Sequence, residues 1–216
     1  MGLTPSIRKL VDVGSGSLSP DVSAEDLRDL SSLGGVYEEL AGVLVQRNGF
    51  YAFESAFHLL PWQSSPLSVG VDDWNSQAGW RCEYGPLADG CLFFAEDVFG
   101  GQFCLKAHQV WHFEPETGAL DLLGSSVEAW ATTLLEDFEF LTGYPLALEW
   151  QKANGALPAG MRLVPKLPFV LGGGFSLDNL VPMSSERSLR ARGSVAARIG
   201  RLPDGAQIRL VIDGEG

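Results

Sequence analysis

Residues 91–118 read CLFFAEDVFGGQFCLKAHQVWHFEPETG, and this stretch decides the fold class. Cys91-Leu92-Phe93-Phe94 is a short apolar run of strand length. Glu96 to Gly101 reads as a connection, Gln102 to Leu105 as the next strand, and Gln109 to Phe113 as another. Pro115-Glu116-Thr117-Gly118 is a strong turn signal. Short strands following one another through tight turns argue for an antiparallel meander.

Trp80, Cys82 and Tyr84 alternate ahead of this stretch and read as the first half of a strand pair running from Gly79 to Phe94. Phe50 to Pro61, dense in aromatics, reads as buried chain entering the sheet from helices. Those helices are two. Ser23 offers an N-cap before Leu27, Leu30 and Leu33, with Gly34-Gly35 as the stop; Val36 to Gln46 follows, ended by Asn48-Gly49. Beyond the strands, Ser125 and Glu128 have capping-box spacing. The apolar positions Val127, Trp130, Leu134, Leu135 and Phe138 then keep a helical period to Leu141, closed by Gly143-Tyr144-Pro145. A short helix over Pro145 to Lys152 is expected next. Ser184 to Ile199 reads as helix or extended segment, and Gln207 to Ile212 as a final strand. The expectation is an α+β fold: a mostly antiparallel sheet with helices packed on one face and a C-terminal strand and loop extension. Residues 1–22, with GSGSLSP at 14–20, are expected to be a loose arm, residues 23–142 the core, and residues 143–216 an extension packed on it.

Composition bounds the function. With 45% hydrophobic residues, six Trp and twelve Phe, the 216-residue chain has ample material for a core. No apolar run approaches the roughly 20 residues that span a bilayer, and the N-terminus lacks a signal-peptide stretch, so a cytosolic location is expected. Three cysteines, Cys82, Cys91 and Cys104, suit buried free thiols better than a disulfide framework. The net charge of −12 is uneven: residues 1–149 hold 22 acidic and six basic side chains, whereas residues 150–216 hold five and nine. Such a field repels phosphate backbones and attracts basic partners over about 10 Å at 0.1 M salt. Nucleic-acid binding by the main body is disfavoured. Solubility alone would explain the same charge.

Candidate chemistry is thin. Gly172-Gly173-Gly174 lacks the Lys of a phosphate loop and reads as a backbone turn. Cys104, His108 and His112 are spaced by four, which on one strand spans about 13 Å, too far for shared ligation unless a hairpin bend intervenes. No GxSxG is present, and only His58, His108 and His112 could serve as imidazole bases. The acidic pairs Asp72-Asp73, Glu96-Asp97 and Glu136-Asp137 could mimic paired catalytic carboxylates. A solvated face explains Glu136, Asp137 and Glu139 as well, and a turn in which Asp97 caps local amides explains the second pair. Arg187, Arg190, Arg192, Arg198 and Arg201 form a basic stretch without interleaved aromatics, for which internal pairing or solvation is preferred.

The order of these features resembles the SUKH superfamily, which includes bacterial toxin-immunity proteins and a fungal regulator of cell-wall assembly. The resemblance rests on the helical pair, Asn48-Gly49-Phe50, the aromatic segment to Pro61, a Trp at 74 or 80, Phe94-Ala95-Glu96-Asp97-Val98-Phe99-Gly100, and the helix carrying Trp130, and covers about residues 23–142. It implies a sheet with packed helices and a face that binds diverse partners. Gly49, Trp80, Phe94 and Gly100 would be structural, with no shared catalytic residues and no cofactor. The function expected first is non-catalytic: an immunity protein neutralising a cognate, basic toxin domain by stoichiometric binding. Asp72, Asp73, Glu96, Asp97, Glu136, Asp137 and Glu139 are the candidate partner-binding residues. A scaffold or regulatory interaction protein with no toxin partner, self-associating through Val164 to Phe175, is the alternative. An enzyme using Glu96 and Asp97 ranks last.

Overall fold

Six strands follow one another in both sequence and space. They are β1 (Phe50–Ala52), β2 (Phe57–Leu59), β3 (Leu92–Asp97), β4 (Gln102–Lys106), β5 (Gln109–Phe113) and β6 (Leu120–Gly124), and every neighbouring pair is antiparallel. This is a computed structural model, and it describes residues 2–199. The α+β class and the meander are as the turn signals imply. Strand periodicity of two then sorts the side chains onto two faces.

On one face Trp130 packs against Phe57, Phe94 and Phe103, with ring centroids 5.1–5.9 Å apart. Trp130 belongs to α6 (Val127–Glu136), which lies with α1 (Pro5–Asp12) and α3 (Val36–Gln46); α2 (Arg28–Ser32) packs on α3. The opposite face carries Phe93 and Phe113, which meet Trp80 and Tyr84. These come from the β2–β3 connection, which holds α4 (Val71–Trp74) and α5 (Arg81–Tyr84). The expected helix layer is therefore present, and a smaller set of helices covers the other face. The Trp80–Tyr84 segment is helical, where alternation implied a strand. Its Arg81 is buried and donates to the carbonyls of Ala88 and Cys91, which holds the turn against the sheet.

Residues 2–22 are not a loose arm. Ile7, Leu10 and Val11 are buried at helical spacing on α1, and Pro5 fits the first helical turn. Two charges fix the segment. Glu128 accepts from the amides of Ser6 (2.9 Å) and Ile7 (3.1 Å), capping α1. Arg47 gathers the carbonyls of Val11, Gly14 and Ser15 at 2.6–3.0 Å. Because Glu128 serves α1, it does not close the capping box expected at its own helix. There Ser126, one residue after the expected Ser125, accepts from Ala129, and Glu39 of α3 accepts from Val127 at 2.6 Å.

The helix expected through Leu141 breaks at Asp137 (φ −133) into α6 and α7 (Phe138–Thr142). Then α8 (Tyr144–Asn154), the antiparallel pair β7 (Met161–Pro165) and β8 (Leu180–Ser184), and α9 (Ser185–Ile199) follow. The Ser184–Ile199 segment is thus helical. Ala56, Val98, Ala147, Trp150, Leu157, Leu163 and Leu180 form a second, smaller core under these elements. Leu163 donates to the Val98 carbonyl (2.7 Å), joining β7 to the end of β3. Helix α9 packs on α5. The strand expected at Gln207 to Ile212 and the side chain of Arg201 lie outside the described residues.

Candidate functional site

The acidic pair at the end of β3 is interior, not surface. Glu96 is 1% exposed and Asp97 6%, which corrects their assignment to a docking face. Cross-strand register explains it. Glu96 lies opposite His58 on β2 and Gln102 on β4, and both partners point to the face covered by β7 and α9. His58 Nδ1 is 3.0 Å from Glu96 Oε1, and its Nε2 is 2.9 Å from the Ser68 hydroxyl. Gln102 Nε2 donates to Glu96 Oε2 at 3.2 Å, and Trp74 Nε1 donates to Gln102 at 2.8 Å. From the C-terminal elements, Ser185 donates its hydroxyl to Glu96, and Arg162 Nε lies 2.8 Å from Glu96 Oε1.

Electrostatics fix the protonation states. Burial pushes the Glu96 carboxyl up, but Arg162, His58 and the Ser185 hydroxyl together outweigh it and hold it at about 2. Burial, ahead of every other influence, lowers His58. At neutral pH the carboxylate accepts from a neutral imidazole, whose proton therefore sits on Nδ1. Arg162 completes the cluster imperfectly: its Nε–H is not aimed at the carboxylate, and its buried Nη2 meets no acceptor among the described residues. The guanidinium lies 5.6 Å over Tyr51, whose ring stacks on His58 at 4.3 Å. His58 and Arg162 are each 1% exposed, so the cluster is sealed from any substrate and acts as a clamp between sheet and C-terminal elements.

Asp97 does what a turn acid does. Its Oδ1 accepts from the amides of Phe99 (2.7 Å) and Gly101 (2.9 Å), and its Oδ2 lies 3.1 Å from His112 Nε2. Burial would lower His112, but Asp97, through hydrogen bond and charge, raises it overall. The Cys104, His108 and His112 trio does not converge, although a hairpin bend does separate them. Cys104 pairs with Trp111 and His112 with Phe103, so these two point to opposite faces, while His108 sits at the turn tip against Tyr37. Cys91 and Cys104 are buried thiols; Cys82 is exposed, contrary to expectation. Gly172-Gly173-Gly174 is a backbone turn, in which a Cβ on Gly173 would sit 1.9 Å from the Leu167 carbonyl oxygen. Of the basic stretch, Arg192 is buried and donates to the Phe99 carbonyl, and Arg190 pairs with Glu186.

The remaining candidates are exposed. Asp72 and Asp73 lie on α4, where Asp73 accepts from the Ser64 hydroxyl. Glu136, Asp137 and Glu139 gather at the α6–α7 break. Beside that break is a groove of about 300 Å³ lined by Phe99, Glu139, Phe140, Pro145, Leu146 and Phe175. Phe140 is 80% exposed and Phe175 64%. The outer wall is a stack of Phe169 on Phe175 (3.9 Å), with Phe99 edge-on to both. That wall is pinned: Glu116 accepts from the Val170 amide at 2.8 Å, and Asn179 donates to the carbonyls of Leu167 and Gly174, both at 3.0 Å. The floor is as tight, because Gly143 is left-handed (φ +70) and a Cβ there would come within 2.3 Å of Phe99. Sequence reasoning missed Phe140. The signal was its misfit, since Phe138 and Leu141 fill the helical period and Phe140 falls outside it.

No protein-family model matches the chain, and no curated protein is detectably similar in sequence. Its fold is similar to that of Atu4351 from Agrobacterium tumefaciens, with a TM-score of 0.60 over 86% of this chain and 87% of that one, at 11% sequence identity. At that identity the likeness is one of fold alone.

Proposed function

We propose that the chain is a non-catalytic protein-binding domain, an immunity protein that neutralises a basic toxin domain by stoichiometric capture. One observation carries this reading: the acids are sorted. Glu96 and Asp97, which acid–base chemistry would need, are sealed inside. Asp72, Asp73, Glu136, Asp137 and Glu139 face solvent, and among the described residues none of the five is paired with Lys or Arg. Unpaired surface acids raise the capture rate of a basic partner and repel nucleic acid. The SUKH-like order of motifs supports the same reading.

The test is co-expression with the protein encoded by the neighbouring reading frame, in a host that the neighbour alone kills. Restored growth and a one-to-one complex that loosens with added salt are expected. The absence of both protection and a complex at low ionic strength would sink the proposal. A scaffold that self-associates is the second reading, favoured by the exposed Leu167, Val170 and Phe175. A monomer mass that does not change with concentration in sedimentation would remove it.

A further inference from the structure

The groove beside α7 and α8 combines features that core packing does not require. Phe140 could be polar at no cost to the interior, since four-fifths of it faces solvent. A pinned aromatic wall, an exposed Phe and a charged rim together have the anatomy of a binding hot spot. At about 300 Å³ the groove is at the small end of ligand sites, suited to an anchor side chain or two.

Its charge selects the occupant. The two segments that build it, residues 136–149 and 167–178, carry Glu136, Asp137, Glu139, Glu149 and Asp178, and no Lys or Arg. The nearby cations are engaged with backbone: the Lys166 ammonium donates to the Asp178 carbonyl at 2.7 Å, and the buried Arg192 donates to the Phe99 carbonyl at 2.8 Å. We infer that this groove seats an apolar anchor residue of a protein partner, carried on a segment whose flanking residues are Lys or Arg. The inference rests on the protein-binding reading above and adds the place and the chemistry. A second copy of this chain is the poorer occupant, because a two-fold contact would set the same acids against one another. Rigidity favours binding too: a wall held by Glu116 and Asn179 loses little freedom on docking.

A random peptide library displayed on phage and panned on the immobilised full chain tests this. Enriched peptides should share an apolar residue flanked by Lys or Arg. Their affinity should drop about tenfold on Phe140→Ser and on the double replacement Glu136→Lys/Glu139→Lys, and should fall with salt. Unchanged thermal melting of both variants would show that the loss is not unfolding. Neutral or acidic consensus peptides, equal binding to both variants, or no enrichment would overturn the inference. So would a wild-type dimer in sedimentation that Phe140→Ser abolishes. The co-expression assay keeps the two claims apart. Protection that survives Phe140→Ser defeats the groove alone, whereas basic anchored peptides without any protection defeat the immunity reading alone.

Discussion

Two acidic stretches with similar composition meet opposite fates in this molecule. Glu96-Asp97 ends a strand flanked on both sides by other strands, so donors reach each carboxylate across the sheet: His58 and Gln102 from the neighbouring strands for Glu96, and His112, reaching over Gly101 from β5, for Asp97. Glu136, Asp137 and Glu139 stand at a break between two helices, where among the described residues no Lys or Arg pairs with them. A buried carboxylate is tolerated only with charge and hydrogen bonds around it, whereas an exposed one needs neither. The inner pair therefore bears on stability and the outer trio on association, and substitutions should separate the two.

The largest effect is expected at the clamp. Arg162→Met leaves Glu96 as a buried charge without its cation and should lower stability in urea by about 3–5 kcal/mol. Glu96→Gln added to it should cost less than the sum of the single changes, because the two residues share one interaction. A loss under about 1 kcal/mol for Arg162→Met would mean that the Arg162–Glu96 pair does not hold the C-terminal elements to the sheet.

pH dissects the inner pair further. Glu96 is depressed from 4.5 to about 2 in the folded state, so its contribution is complete above pH 4.5 and vanishes as pH falls towards 2. The stability difference between wild type and Glu96→Gln should shrink as pH falls through that window. His58 is lowered, so protons bound by the unfolded chain below pH 6.5 work against the fold. His112 is raised by Asp97, and its contribution has the opposite course: full below pH 6.5 and lost as pH rises through its folded value. The advantage of wild type over His112→Gln should therefore grow as pH is lowered from 8 to 6. A flat difference would show that the imidazolium adds nothing.

How much of this could be read in advance follows the range of each interaction. The meander was legible because its signals are local: apolar runs of strand length, Pro115 to Gly118, and the Asp97 cap within its own turn. The helix at Arg81–Tyr84 was not, because alternation of Trp80, Cys82 and Tyr84 over five residues fits a strand and a helical turn alike. What decides between them is the polar burial of Arg81 on the carbonyls of Ala88 and Cys91, which a hydrophobic pattern does not register. Helix α1 was hidden for a different reason: Ile7, Leu10 and Val11 were in view, but the caps that stabilise it come from Glu128 and Arg47, far along the chain. The same holds for the Glu96 cluster, whose cation is 66 positions away at Arg162. Phe140 and Phe175 belong to one groove only because the fold brings residues 136–146 and 167–176 together.

Glu128 is intermediate, an acid half-turned inward. Glu128→Ala frees two amides at the start of α1 and should cost about 1 kcal/mol. Amide hydrogen exchange should accelerate over residues 5–12 and leave the sheet unchanged. Acceleration spread over β3 and β4 would mean that α1 is part of the central folding unit instead of a capped addition to it.

The outer trio should respond least. Among the described residues neither Glu136 nor Glu139 meets a donor, and of the two only Glu139 has a structural use, favouring the first turn of α7 by a few tenths of a kcal/mol. Stability should stay within about 0.5 kcal/mol of wild type by urea titration, and the reversal should relieve some self-repulsion in a chain of net charge −12. A loss above about 1 kcal/mol would show that these carboxylates pair with cations of the fold after all. They would then resemble Glu96, and the separation between a stabilising interior acid and an associating surface acid would fail at its most exposed member.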